Sequence, residues 1–352
     1  MSAAALAHAD EGGHSKHTEH AHTASGHAPI GVMGDHRHRK GELMLSYRYM
    51  HMNMSGSRIG TNPISPTETA TTIPNRFAGA PMQPPTLRVV PTDMTMEMHM
   101  VGAMYGLTDD ITLLAMTSYQ TREMDHVTFQ GGRGTTELGR FTTRSPGFGD
   151  TTLGALIGLD SEGTHQFHLN AAVSIPTGSI SRTDQILAPI GATSTLRLPY
   201  PMQLGSGTFD LKPGLTYLGC SNDISWGAQG SAVIRLGDNS ADYSLGNRFE
   251  GTAWVAKDWS KSFSTSARVK VLSQESIDGI DARISGPVQT ADPDNIGGDS
   301  VEMLIGANFL IGKGPLVKNR LAFEFGIPVY RKLNGPQLET DWTLTVGWQR
   351  VF

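Results

Sequence analysis

The chain has 352 residues, of which 17% are charged and 41 are glycine; soluble domains carry about 25% charged residues. No apolar run reaches the ~18 residues a membrane helix needs, so a helical membrane protein is excluded. A formal net charge of −5 gives no general basic field and argues against nucleic acid as a partner, and the single cysteine, Cys220, excludes an intrachain disulfide framework, a cysteine zinc site and an iron–sulfur cluster.

Residues 1–9, MSAAALAHA, end in an Ala-His-Ala pattern of the kind that precedes signal-peptidase cleavage, and are read as the remnant of a signal peptide. Residues 10–41 follow without periodicity and are expected to form a disordered, His-rich periplasmic segment. It carries His14, His17, His20, His22, His27, His36 and His38. Imidazole is a borderline-soft ligand, so a flexible array of this density can wrap Cu(II), Zn(II) or Ni(II) without preformed geometry. A hydrophilic tail is the plainer alternative.

From residue 42 to residue 352 the pattern has period two. Leu43, Leu45, Tyr47 and Tyr49 share one face of the first segment. Val101, Ala103, Tyr105 and Leu107 lead through a Thr108-Asp109-Asp110 turn to Ile111, Leu113, Ala115 and Thr117. Four more hairpins of this kind follow, and a last segment carries Trp342, Leu344, Val346, Trp348 and Phe352. One segment, five pairs and a final segment make twelve strands. Turns after even-numbered strands are short, whereas the stretches 55–91, 125–147, 177–202, 237–246, 275–298 and 331–338 read as connections that are mostly long. Short turns on one rim, long loops on the other and an even strand count are the outer-membrane arrangement. The fold class expected is therefore all-β, a single antiparallel up-and-down transmembrane barrel of 12 strands, with its N-terminal segment in the periplasm. A soluble sandwich explains neither the loop asymmetry nor the C-terminus.

That C-terminus, Trp342-x-Leu344-x-Val346-x-Trp348-x-Arg350-x-Phe352, resembles the terminal signature of bacterial outer-membrane barrels, which implies outer-membrane lipid and the outer-membrane assembly machinery as partners. Pro201-Met202-Gln203-Leu204-Gly205-Ser206-Gly207-Thr208-Phe209-Asp210-Leu211, with Pro213-Gly214-Leu215-Thr216-Tyr217, resembles the QLGSGT…PGLTY stretch of the transporter-like barrels of the "MetA pathway of phenol degradation" family. The resemblance implies an outer-membrane channel for small molecules and leaves its cargo open. The His tract and the Met-rich first two strands depart from what is associated with aromatic uptake.

If the apolar rows face lipid, the opposite rows line the lumen. They place Asp210, Lys212, Gln229, Arg235, Arg248, Glu250, Arg268, Lys270, Glu302 and Glu324 inside, where opposite charges can pair across the wall. Bracing of the barrel is the plain role for any one of them. Met44, Met50, Met52 and Met54 share the inward parity of the first strand, and Met94, Met96, Met98, Met100 and Met104 that of the second. A stripe of thioethers can pass Cu(I) between weak sites, and it is equally a flexible apolar filler. His51, Glu97 and His99 fall outward and must sit at the outer rim or be turned by a bulge. His165 and His168 have no nucleophile in reach, and no motif of an enzyme stands out, so catalysis is not expected.

Three functions stay open. The leading one is a channel or transporter of copper-like ions, with the tail capturing metal and the Met stripe conducting it; copper is then the candidate cofactor, with zinc or nickel on the tail. The alternative is a passive channel for small organic solutes, aromatic or hydrophobic. The third is a plugged structural or adhesive barrel.

Overall fold

The computed structural model describes residues 23–162, 164–312, 314 and 317–352. No helix among the described residues is long and apolar enough to cross a membrane, and the chain is built of long antiparallel strands. These are β1 (Leu43–Gly60), β2 (Val89–Gly106), β3 (Ile111–Phe129), β4 (Glu137–Phe148), β5 (Thr151–Glu162), β6 (His165–Ile175), β7 (Phe209–Ser221), β8 (Ile224–Leu236), β9 (Arg248–Ser260), β10 (Phe263–Gln274), β11 (Gly298–Ile311) and β12 (Asn319–Val351).

Each strand pairs with the next in sequence except β4 and β5, which both pair β3, and β12 returns to β1 from Met44/Val351 to Gly60/Leu333, which closes the sheet into a barrel with no free edge at the seam. β4 and β5 are two pieces of one descending strand: β4 pairs the far half of β3 and β5 its near half. β12 is a hairpin, rising along β11 to Leu333 and descending along β1. Its halves lie side by side, with Phe325 against Trp342 and Trp348 donating to Asn319 Oδ1 at 2.7 Å. Counted this way the wall has the twelve traverses that the alternation predicts.

Parity follows the sequence. Val101, Leu153, Leu215, Val271, Ile305 and Phe323 are exposed on the outer wall although apolar, which is the arrangement of a barrel whose exterior meets lipid and whose interior is polar. Two stretches read as long connections are instead short turns. Residues 125–147 are mostly the paired ends of β3 and β4, and within 331–338 the chain reverses between Leu333, which pairs Gly298, and Gln337, which pairs Arg58, because the ladder continues well past the apolar belt.

The longer loops fold into a cap. Val89, Tyr200, Ala241, Tyr243, Ile277, Ile284, Val288 and Ala291 form its apolar core. Arg88, fully buried, donates to the carbonyls of Ala70, Gln130, Gly131 and Gly134 and so gathers two loop segments around one guanidinium.

The other rim is closed by the chain's own N-terminal part. Residues 23–41, expected to be a disordered extension, enter the lumen and leave it again. The composition of the tail gives it no core of its own, but the lumen supplies partners. Ala28, Ile30 and Val32 are buried, and Trp254 packs on Ala28 and Val32. The part of the His-rich segment before residue 23 lies outside the described residues, as does 1–9.

Candidate functional site: the barrel lumen

The plug is held by backbone hydrogen bonds to wall side chains. It starts near the short-turn rim, where Asp258 accepts from Ser25 N at 2.9 Å and Asn308 donates to Ala24 O. At its deepest point Gly31 N donates to Glu324 Oε2 at 3.0 Å, Gln229 donates to Met33 O at 3.0 Å, and Asn170 donates to Gly34 O at 2.8 Å. It returns past Thr112, whose hydroxyl accepts from His38 N, to Gly106, whose carbonyl accepts from Gly41 N. Gly31 is a close approach: a Cβ there would meet Glu324 Oε2 at 2.2 Å and Arg268 Nη2 at 2.4 Å.

The lumen charges form the other half of the wall. Arg268 binds Glu324 through two hydrogen bonds of 2.8 Å, with both side chains almost wholly buried. Lys270 meets Glu302 at 2.8 Å, Arg248 meets Glu250 at 2.9 Å, Arg235 pairs with Asp210, and Lys212 donates to Thr152 Oγ1 at 2.9 Å. Each of these charges therefore has a polar partner on its own strand, on the next strand, or one strand further along the wall, as for Arg268 with Glu324 and Lys212 with Thr152, as the desolvation cost of a lone charge requires.

The methionines face them. The β1–β2 register sets Met44 opposite Met104, Met50 opposite Met98, Met52 opposite Met96 and Met54 opposite Met94, with Arg48 opposite Met100. Towards the cap, Met94 joins Met124, Leu198 and Met202 in a buried cluster, with Met54, Ile186 and Leu338 packed on it. The loop after β6 thus folds inward and meets the methionine face with apolar side chains.

The barrel wall is weakest near this loop. β6 ends at Ile175, opposite Thr151, so β4 beyond it pairs only β3. The segment 203–208 fills the place: Asp150 accepts from Gly178 N, Ser206 N and Ser206 Oγ at 2.9, 2.8 and 3.0 Å. Arg122 donates to the carbonyls of Pro201 and Gln203, both at 2.6 Å. Gly205 lies against Gly178, where a Cβ would meet Gly178 O at 2.6 Å. The Gln203–Thr208 stretch singled out in the sequence is thus a buried elbow that seats a loop in the wall.

Among solved structures the chain is similar to a COG4313 outer membrane channel from Pseudomonas putida F1, at 15% identity over 91% of this chain and 99% of that one, with a TM-score of 0.58. It has the fold of that channel. Weaker likenesses are to the Ralstonia pickettii toluene transporter TbuX (11% identity, 92% and 91% covered, TM-score 0.45) and a Pseudomonas aeruginosa FadL homologue (10%, 88% and 90%, 0.44). No protein-family model and no curated protein matches the sequence. The outer-membrane barrel fold that the 201–217 stretch implies is the architecture found.

Of the residues predicted for metal, His14, His17, His20 and His22 lie outside the described residues. His27 and His36 come together with Asp35 in the plug, while His38 is buried beside them. The methionine row lies on the lumen side; Met54 and Met94 have apolar neighbours near the cap, while Met96, Met98 and Met100 stand opposite Arg122, Gln120 and Ser118 of β3. Outside, Tyr49 donates to Glu97 at 2.6 Å, His51 lies 3.6 Å from Glu97 and stacks on Trp342, and Tyr47 meets His99 at 2.7 Å. This is an interfacial belt of aromatic and polar groups at the outward positions.

Sequence reasoning missed the plug's anchors: Arg48, His168, Asn170 and Arg320 on the wall, and Gly31 and Gly34 in the segment. One signal was present, the apolar run Ala28-Pro29-Ile30-Gly31-Val32-Met33 inside an otherwise polar tail.

Proposed function

We propose that the protein is a passive, non-enzymatic outer-membrane channel for small hydrophobic organic molecules, with its short-turn rim towards the periplasm. The observation that carries this reading is the paired methionine face of β1 and β2, continued by Leu198 and Met202. Thioether side chains are flexible, apolar and favourable towards aromatic rings, so they form an adaptable wall for an unspecific apolar solute. A conducting path for copper-like ions would need those sulfurs grouped into ligand sets, and their neighbours near the cap are aliphatic. The reading therefore takes the organic solute over the metal cargo.

The plug blocks a straight path at the periplasmic rim, so a solute that enters under the cap leaves sideways into the membrane beside Gly149 and Asp150, once the 203–208 elbow that fills the wall there swings aside. The apolar belt meets outer-membrane lipid, and the Phe352 terminus serves the assembly machinery. The test is equilibrium binding of a fluorescent naphthalene derivative to the purified barrel. Met96→Glu with Met98→Glu is expected to weaken binding at least tenfold, the effect of about 1.4 kcal/mol. Unchanged binding in the folded double variant, or none in the parent, contradicts the reading; the second result favours a plugged structural barrel.

A further inference from the structure

One group of side chains in the plug has no part in solute passage. His27, Asp35 and His36 bring one ligand atom each to a common place, all within 4.8 Å of one another. The backbone makes the arrangement: Ala28 N donates to Asp35 Oδ2 at 2.9 Å, which ties the start of the 27–36 loop to its end. The His27 and His36 rings meet edge-on with centroids 4.3 Å apart, and His36 Nδ1 stands 3.0 Å from Asp35 Oδ1.

A second observation points to a ligand. His27 Nδ1 and His36 Nε2 are shut off from solvent and have no hydrogen-bond partner. Buried polar atoms without partners are costly and uncommon, and two ring nitrogens beside a carboxylate are an incomplete donor set rather than a packed core.

The charged groups facing the cluster narrow the ligand. Arg320 and Arg48 act electrostatically on it; Arg320 is tied to Ala28 O, Asn308 and Gln349, and Arg48 to Met33 Sδ. One carboxylate against two guanidiniums is a poor site for calcium or magnesium, which are held by charge and oxygen. Imidazole nitrogens favour a borderline cation, which forms zinc–nitrogen bonds of about 2.0–2.1 Å.

We propose that His27, Asp35 and His36 bind a zinc-type divalent cation, and that the ion fastens the two limbs of the plug loop together. Metal occupancy then sets how firmly the periplasmic end of the lumen is closed. The inference is independent of the channel's cargo.

The experiment uses the full chain in detergent with His8, His14, His17, His20 and His22 replaced by Ala, which leaves the plug cluster intact. Titration with zinc is expected to give one ion per chain. His27→Gln with His36→Gln is expected to weaken binding by more than the roughly 10–100-fold that loss of a mere outer-shell partner costs. Heat-modified gel mobility shows whether that variant is folded. Should it not fold, cobalt(II) absorption on the parent decides: bands of a nitrogen- and oxygen-ligated ion support the site. A parent that binds neither ion, or a folded double variant that binds zinc as tightly as the parent, overturns it.

Discussion

At the scale of single residues, two carboxylates hold the loops in place. Asp150 takes three hydrogen bonds from Gly178 and Ser206 and thereby fixes the elbow in the wall. Hydrogen bonds to a charged group contribute about 1.5–3 kcal/mol each, so Asp150→Ala is expected to destabilise the elbow by a few kcal/mol. Amide hydrogen exchange at residues 203–208 should accelerate while the strand amides of β8 to β11 stay protected. Asp281, in the cap, is buried, and burial works to raise its pKa; the hydrogen bonds from Arg283 and the nearby Arg197 outweigh this and hold it below the ordinary carboxylate range. A depressed folded pKa gives stability that is present above the unfolded value of about 3.9 and is lost as pH falls through the folded value. Limited proteolysis of the cap should therefore be flat from neutral pH to about 4 and increase below it, and Asp281→Asn should cleave at pH 7 as the parent does in acid. The direction of side chains such as Met52, Lys270 or Glu302 could be read from the sequence, since period two assigns each residue a face. The partners of Asp150 could not: Gly178 and Ser206 come from a loop whose path no local pattern describes.

At the scale of elements, the plug depends on the wall more than on itself. Glu324 accepts from Gly31 N and neutralises Arg268 in the same buried place. Removing one partner of a buried pair costs about 3–5 kcal/mol, because the other charge stays behind. Glu324→Ala should lower the thermal midpoint measured by gel mobility and raise the conductance of reconstituted protein. Deleting residues 23–41 should raise conductance further while the barrel still folds, since the wall ladder contains none of those residues. If deletion left planar-bilayer conductance unchanged, the plug would not be the closure at that rim. The strands were legible because lipid-facing and lumen-facing positions alternate for more than ten residues at a time. The plug was not, since low apolar content predicts disorder only when the segment has to make its own core. Here Trp254, Gln229, Asn170 and Arg320 provide one. The reversal between Leu333 and Gln337 was hidden for a related reason: strands that extend past the apolar belt become polar on both faces and look like loop.

At the scale of the whole molecule, the lumen is divided. Methionines of β1 and β2 line one side, and paired charges of β7 to β12 line the other and grip the plug. A cap with its own apolar core covers the far end. On the function proposed above, this division disfavours free passage of ions and polar solutes and leaves an apolar way in along the methionines. The apolar exterior and the closed ladder, both readable in the alternation, place the chain in the bilayer; what it admits had to come from which loops fold inward. The most direct measurement of this account is uptake by cells whose outer membrane carries the protein, comparing a radiolabelled small aromatic hydrocarbon with a monosaccharide of similar size. Faster entry of the hydrocarbon alone, abolished by Met96→Glu with Met98→Glu, is the predicted result; faster entry of the sugar, or hydrocarbon uptake equal to that of cells lacking the protein, would contradict it.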